Sequence, residues 1–95
     1  MTIRAQYYEL HITMEGDAKR IQHFVEMMHW KFSAIDKDPV LGEGVKCYAT
    51  IHLHRDTNYD SILAQLNHTA NGLIDYGCEV IRKKIEFVQY DELVQ

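Results

Sequence analysis

A chain of 95 residues that is 46% hydrophobic and 25% charged has the makeup of an ordinary globular domain, with material for one modest core and too little for two. Fourteen acidic against ten basic residues leave a formal net charge of −4, which argues against a general nucleic-acid or anionic-membrane binder. No apolar run approaches the roughly 20 residues of a membrane span, and the opening Met1-Thr2-Ile3-Arg4-Ala5-Gln6 lacks the apolar centre of a signal peptide. The expectation is a single cytoplasmic domain over residues 1–95. Cys47 and Cys78 form no CxxC spacing and lie among apolar residues, so they read as small buried thiols of a reducing compartment. Six histidines make the net charge sensitive to mild acidification.

Tyr7 to Met14 alternates strictly. Tyr8, Leu10, Ile12 and Met14 point one way, and Tyr7, Glu9, His11 and Thr13 the other. A period of two over eight residues predicts a half-buried strand. Glu15-Gly16-Asp17 breaks the pattern and offers Asp17 as an N-cap. Ile21, Phe24, Val25 and Met28 then recur at helical spacing, with His23 opposite that stripe and His29 at its edge. From Trp30 to Ile35 the sequence alternates loosely as a short strand. Asp36 to Gly44, holding the chain's only proline, reads as the loop that joins it to the next strand. Gly42-x-Gly44 lacks the further glycines, the Gly-Lys-Ser/Thr ending and the following helix of a phosphate loop.

Val45 to His54 is the second clear strand, with Val45, Cys47, Ala49, Ile51 and Leu53 on one face and Lys46, Tyr48, Thr50, His52 and His54 on the other. Thr57 and Asp60 have capping-box spacing. Ile62, Leu63, Leu66, Ala70, Leu73 and Ile74 form a second helical stripe, His68 lies off it, and Gly77 is placed as the stop. Glu79 to Tyr90 reads as a last strand, with Ile81, Ile85 and Phe87 on the core face and Lys83 the misfit among them. Val80, Arg82, Lys84, Glu86 and Val88 then line its other face, and Asp91 to Gln95 reads as a tail.

Strand, helix, strand, strand, helix, strand is the split βαβ order of the α+β ferredoxin-like fold, a four-stranded antiparallel sheet with two helices on one face. The first and third strands are then central neighbours, and the fourth flanks the first. The polar faces of all three meet on one open surface that carries Tyr7, Glu9, His11 and Thr13 beside Tyr48, Thr50, His52 and His54, with Arg82, Lys84 and Glu86 along its flank. This His/Thr/Tyr-rich face is the candidate ligand site, or the interface of a homodimer.

Three chemistries suit these residue types. His11-Ile12-Thr13-Met14 resembles the His-hydrophobic-Thr-hydrophobic motif of the two-histidine phosphoesterases. That resemblance implies histidines acting as general acid and base on a cyclic or 2′,5′-linked phosphate, with hydroxyls holding its oxygens. The second motif is absent, because His52-Leu53-His54 has a histidine where the hydroxyl belongs. A complete site would then need a symmetric dimer or a mixed arrangement of His11 and Thr13 with His52 and Thr50, and a small anionic ligand would be held by Tyr7, Glu9, Tyr48, Thr50, Arg82 and Lys84. The second chemistry is a divalent metal. His52 and His54 share a strand face about 7 Å apart at roughly 3.4 Å per residue, and His11 with Glu9 completes a ligand set. The third is RNA. Lys46 to Leu53 resembles the third-strand octamer of the RNA-recognition motif at Lys46, Tyr48, Ala49 and Ile51, but departs at Cys47, Thr50 and Leu53, two of them where stacking aromatics belong. Fold by itself does not choose among these uses.

Overall fold

The computed structural model describes residues 2–38 and 42–92, with side-chain detail for 7–35 and 46–89. The elements run β1 (Thr2–Glu15), α1 (Ala18–Met27), β2 (Lys31–Asp38), β3 (Gly42–His54), α2 (Tyr59–Asp75) and β4 (Glu79–Glu92). All strand pairs are antiparallel, in the order β2-β3-β1-β4. This is the ferredoxin-like α+β arrangement that the element order predicts. No helix among the described residues is long and apolar enough to cross a membrane.

The alternation of β1 decides what the sheet buries. Leu10, Ile12 and Met14 have no solvent exposure and meet Ile51, Ala49 and Cys47 of β3 across the ladder. Ile21, Phe24 and Val25 of α1 and Ile62, Leu66 and Leu73 of α2 close over them. Full burial of each such aliphatic side chain stabilises by about 1.5–3 kcal/mol. The second stripe differs from its prediction at two positions. Thr69 is buried, whereas Ile74 is exposed, because the helix faces the sheet along 62, 66, 69, 70 and 73.

Each helix is stopped at both ends by identifiable groups. The Asp17 carboxylate accepts from the backbone N–H of Lys19 and Arg20. For α2 the cap is Asn58, whose Oδ1 accepts from Ser61 N–H at 2.8 Å. It lies one residue beyond the expected Thr57, whose own N–H closes a turn onto His54 O. Past α2, Gly77 takes φ +98°, with Gly77 N–H on Ile74 O and Cys78 N–H on Leu73 O. That double bond is a Schellman stop. Helix α1 ends in the same motif, His29 N–H on Glu26 O and Trp30 N–H on Val25 O, but the left-handed residue there is His29 at φ 64°. The two helices come close where Phe24 faces Gly72, since a methyl at Gly72 would lie 2.9 Å from Phe24 Cζ.

Strand boundaries differ from the sequence reading in three places. β1 begins at Thr2, and β4 runs on to Glu92. The expected loop from Asp36 to Gly44 is largely strand, with Lys37 opposite Glu43 and Asp38 opposite Gly42; its Pro39 and Leu41 lie outside the described residues. Within β4 a register shift separates Thr13/Arg82 from Met14/Val80, leaving Ile81 as the extra residue of a bulge. The bulge reverses two expectations. Val80 packs against the core, while Ile81 is exposed, because one inserted residue moves everything before it to the opposite face. Lys83 stays on the core-side face but reaches out to Asn67 Oδ1 of α2 at 2.9 Å. The side chain is exposed there, so its ammonium stays wet.

Candidate functional site

With β3 and β4 flanking β1, cross-strand register assembles the open face. Glu9 stands between His52 and Glu86, His11 between Thr50 and Lys84, and Thr13 between Tyr48 and Arg82. Nine residues from three distant segments form three rungs. A cleft of about 190 Å³ opens over them, lined by Glu9, His11, Thr13, Tyr48, Arg82, Lys84 and Glu86.

His11 is the hub. Its Nε2 lies 2.8 Å from Glu9 Oε1 and 3.1 Å from Glu86 Oε1, and its Nδ1 lies 3.1 Å from Thr50 Oγ1. Two acceptors at Nε2 require that nitrogen to carry the hydrogen or another cation. The Thr50 hydroxyl can give or take a hydrogen, so it can serve Nδ1 in either state. Glu9 also holds the second imidazole, with His52 Nε2 3.2 Å from its Oε2. His52 stacks against Tyr7 at a centroid separation of 4.6 Å. Glu9 and His11 are less than a quarter exposed, at 22% and 23%, against 45% for Glu86 and 59% for His52. The constellation therefore has a sheltered side along β1 and an open side along β4 and β3.

Like charges directly opposite on neighbouring strands repel, so the facing pair Glu9/Glu86 needs positive charge around it. Lys84 Nζ supplies some of it at 3.1 Å from Glu86 Oε1. That hydrogen bond holds the Glu86 carboxyl below the ordinary glutamate range; desolvation opposes it to a smaller extent, and the charges of Lys84 and His11 add to it. Arg82 lines the same cleft, and among the described residues it has no ion-pair partner.

His54, expected beside His52, is turned to the strand end. Its Nδ1 accepts from Asp56 N–H at 3.1 Å and faces Asp56 Oδ2 at 3.5 Å. Thr13 is buried at the floor of the cleft. Lys46, the basic first residue of the RNA-motif-like octamer, is buried and donates to Glu15, so its charge is engaged within the sheet rather than presented on it. Glu86 gains most from the structure. The sequence places it on the flank of the face, and only the β1/β4 register puts it opposite Glu9. Cys47 and Cys78 are both free and buried. Burial pushes both thiols up, with the neighbouring Cys78 adding to the shift at Cys47 and Arg20 working against it at Cys78. Thiols so raised are poor nucleophiles at neutral pH.

No known family model and no curated protein matches this chain. The class rests on its architecture, a ferredoxin-like domain with a charged cleft on the open sheet face.

Proposed function

We propose that the open sheet face binds a divalent metal ion through Glu9, His11 and Glu86. One observation carries the reading: two carboxylates on facing strands converge on the same imidazole nitrogen, and their donor atoms lie within 4.8 Å of one another. Donors about 2.0–2.2 Å from one metal sit roughly 2.9–3.5 Å apart at cis or tetrahedral angles, and the separations at His11 Nε2 are 2.8 and 3.1 Å. Closing the remaining carboxylate–carboxylate gap needs a movement of an ångström or so, available to the half-exposed Glu86. Thr50 suits the role of outer partner, its oxygen accepting from Nδ1–H and leaving Nε2 for the metal. One imidazole and two carboxylates favour a borderline to hard cation such as Zn²⁺ or Mn²⁺, and three protein ligands leave positions for water or a substrate.

Isothermal titration with Zn²⁺ and with Mn²⁺ tests the proposal. Binding at one equivalent is expected in the wild type, with at least tenfold weakening in His11→Ala and in Glu86→Gln. His54→Ala should bind as the wild type does. A wild type that takes up neither ion, or uptake unchanged by both variants, overturns the proposal and leaves Glu9, His11 and Glu86 as an ion-pair network.

A second reading has its own support. Glu9 grips His11 and His52 by opposite oxygens, which holds two imidazoles side by side as acid–base catalysis of phosphoester cleavage requires. Turnover of 2′,3′-cyclic nucleotides that disappears in both His11→Ala and His52→Ala would support it. Turnover unaffected by either substitution rules it out.

A further inference from the structure

We infer that the same cleft holds a small oxyanion, a phosphate or a carboxylate, seated on Arg82 and Lys84, and that this anion and the metal ion bind cooperatively. The inference rests on the metal reading above and names what the metal's open positions face.

Three observations lead there. First, the cleft's charges are unevenly engaged. Glu9, His11, Lys84 and Glu86 all make ion pairs, whereas Arg82 lines the same cavity with no ion-pair partner among the described residues. A guanidinium is a planar fork of five donors suited to two oxygens of one carboxylate or phosphate. Second, Arg82 and Lys84 alternate along β4 on the open face, opposite Thr13 and His11, so Lys84 lies one rung and Arg82 two rungs from the Glu9/Glu86 pair. An anion resting on them therefore lies beside the proposed metal position, with the cleft between. Third, the bulge at Ile81 begins next to Arg82 and sends Val80 to the core side. Without it, strict alternation would set an apolar Val80 beside Arg82 on the open face; bulges recur where a side chain has to be aimed at a site.

The charge arrangement makes the coupling obligatory. Without metal, Glu9 and Glu86 repel an incoming anion, and Glu86 occupies the Lys84 ammonium at 3.1 Å. A divalent ion on those carboxylates cancels the repulsion and draws Glu86 away from Lys84, which then turns to the anion beside Arg82. By linkage the anion must strengthen metal binding by the same factor by which the metal strengthens anion binding.

The test uses the 95-residue chain at fixed ionic strength and inorganic phosphate as the probe, with malonate as a parallel arm to separate the phosphate and carboxylate sources. Each is titrated calorimetrically into metal-free and Mn²⁺-loaded protein, and Mn²⁺ is titrated with and without phosphate. At least one of the two anions should bind at least tenfold tighter to the metal-loaded protein. Arg82→Gln should weaken that anion tenfold or more while changing Mn²⁺ affinity in its absence by less than about threefold, and Arg82→Lys should recover part of the loss. Binding of neither anion, equal affinity with and without metal, or indifference to Arg82→Gln overturns the inference. Mn²⁺ uptake alongside any of those results leaves the metal reading standing, whereas no uptake under either condition removes both.

Discussion

Helix α1 stops at a residue that resists the conformation required of it, and replacing that residue should stabilise the domain. His29 holds φ 64° in the position where α2 uses Gly77, and it is the one non-glycine with positive φ among the described residues. Its ring is exposed, so little packing is lost when it is removed. A left-handed backbone costs a residue with a Cβ about 1–2 kcal/mol, and glycine returns about 0.5–1 kcal/mol of that through the greater entropy of its unfolded chain. His29→Gly should therefore gain about 0.5–1 kcal/mol, a rise in Tm of about 2–8 °C for a domain of this size. His29→Ala keeps the Cβ, and should stay within about 0.5 kcal/mol of the wild type. Urea unfolding of the three proteins side by side under one set of conditions reads the differences. A His29→Gly protein no more stable than His29→Ala would refute the reasoning.

The same motif at the other helix should respond in the opposite sense. Gly77→Ala meets no atom within 4 Å, so its net loss of about 0.5–1 kcal/mol, the left-handed strain less the lower entropy of the unfolded alanine chain, should be wholly conformational, read as a lower Tm with an unchanged denaturant slope. The bulge in β4 makes Val80 and Ile81 unequal in the order opposite to plain alternation. Ile81→Ser should shift stability by less than about 0.5 kcal/mol, and Val80→Ser should cost clearly more in the same urea titration. Because the folded Glu86 carboxyl is held below the usual glutamate range, its contribution is present at pH values above the ordinary glutamate range and is lost as the pH falls through the lowered value. Glu86→Gln removes it, so the stability difference between wild type and variant should narrow on acidification from pH 6 to pH 3. A constant gap would argue against the Lys84 and His11 contacts as its source.

Local pattern was enough for the elements and most of the core. The period of two in Tyr7–Met14 separates Leu10, Ile12 and Met14 from Glu9, His11 and Thr13 whatever the partner strands are, and Asp17 and Gly77 announce helix ends through chemistry confined to a few residues. Where local chemistry is ambiguous, the structure departs from local pattern by a residue or a face. Asn58 caps in place of Thr57 because both suit the role, and His29 stops α1 without the glycine that would have signalled it. Ile81 and Val80 exchanged places because a bulge arises from pairing with β1 rather than from the residues of β4.

The site belongs to the second kind of information. Sequence placed His11, Glu9, Thr50, His52, Lys84 and Arg82 on one face, since alternation within each strand and the order of strands suffice for that. It did not say that Glu86 opposes Glu9, that His11 touches both carboxylates through one nitrogen, or that His54 turns away to Asp56. A face is set by parity along a single strand. A rung is set by register between strands, and register follows from how the whole core packs.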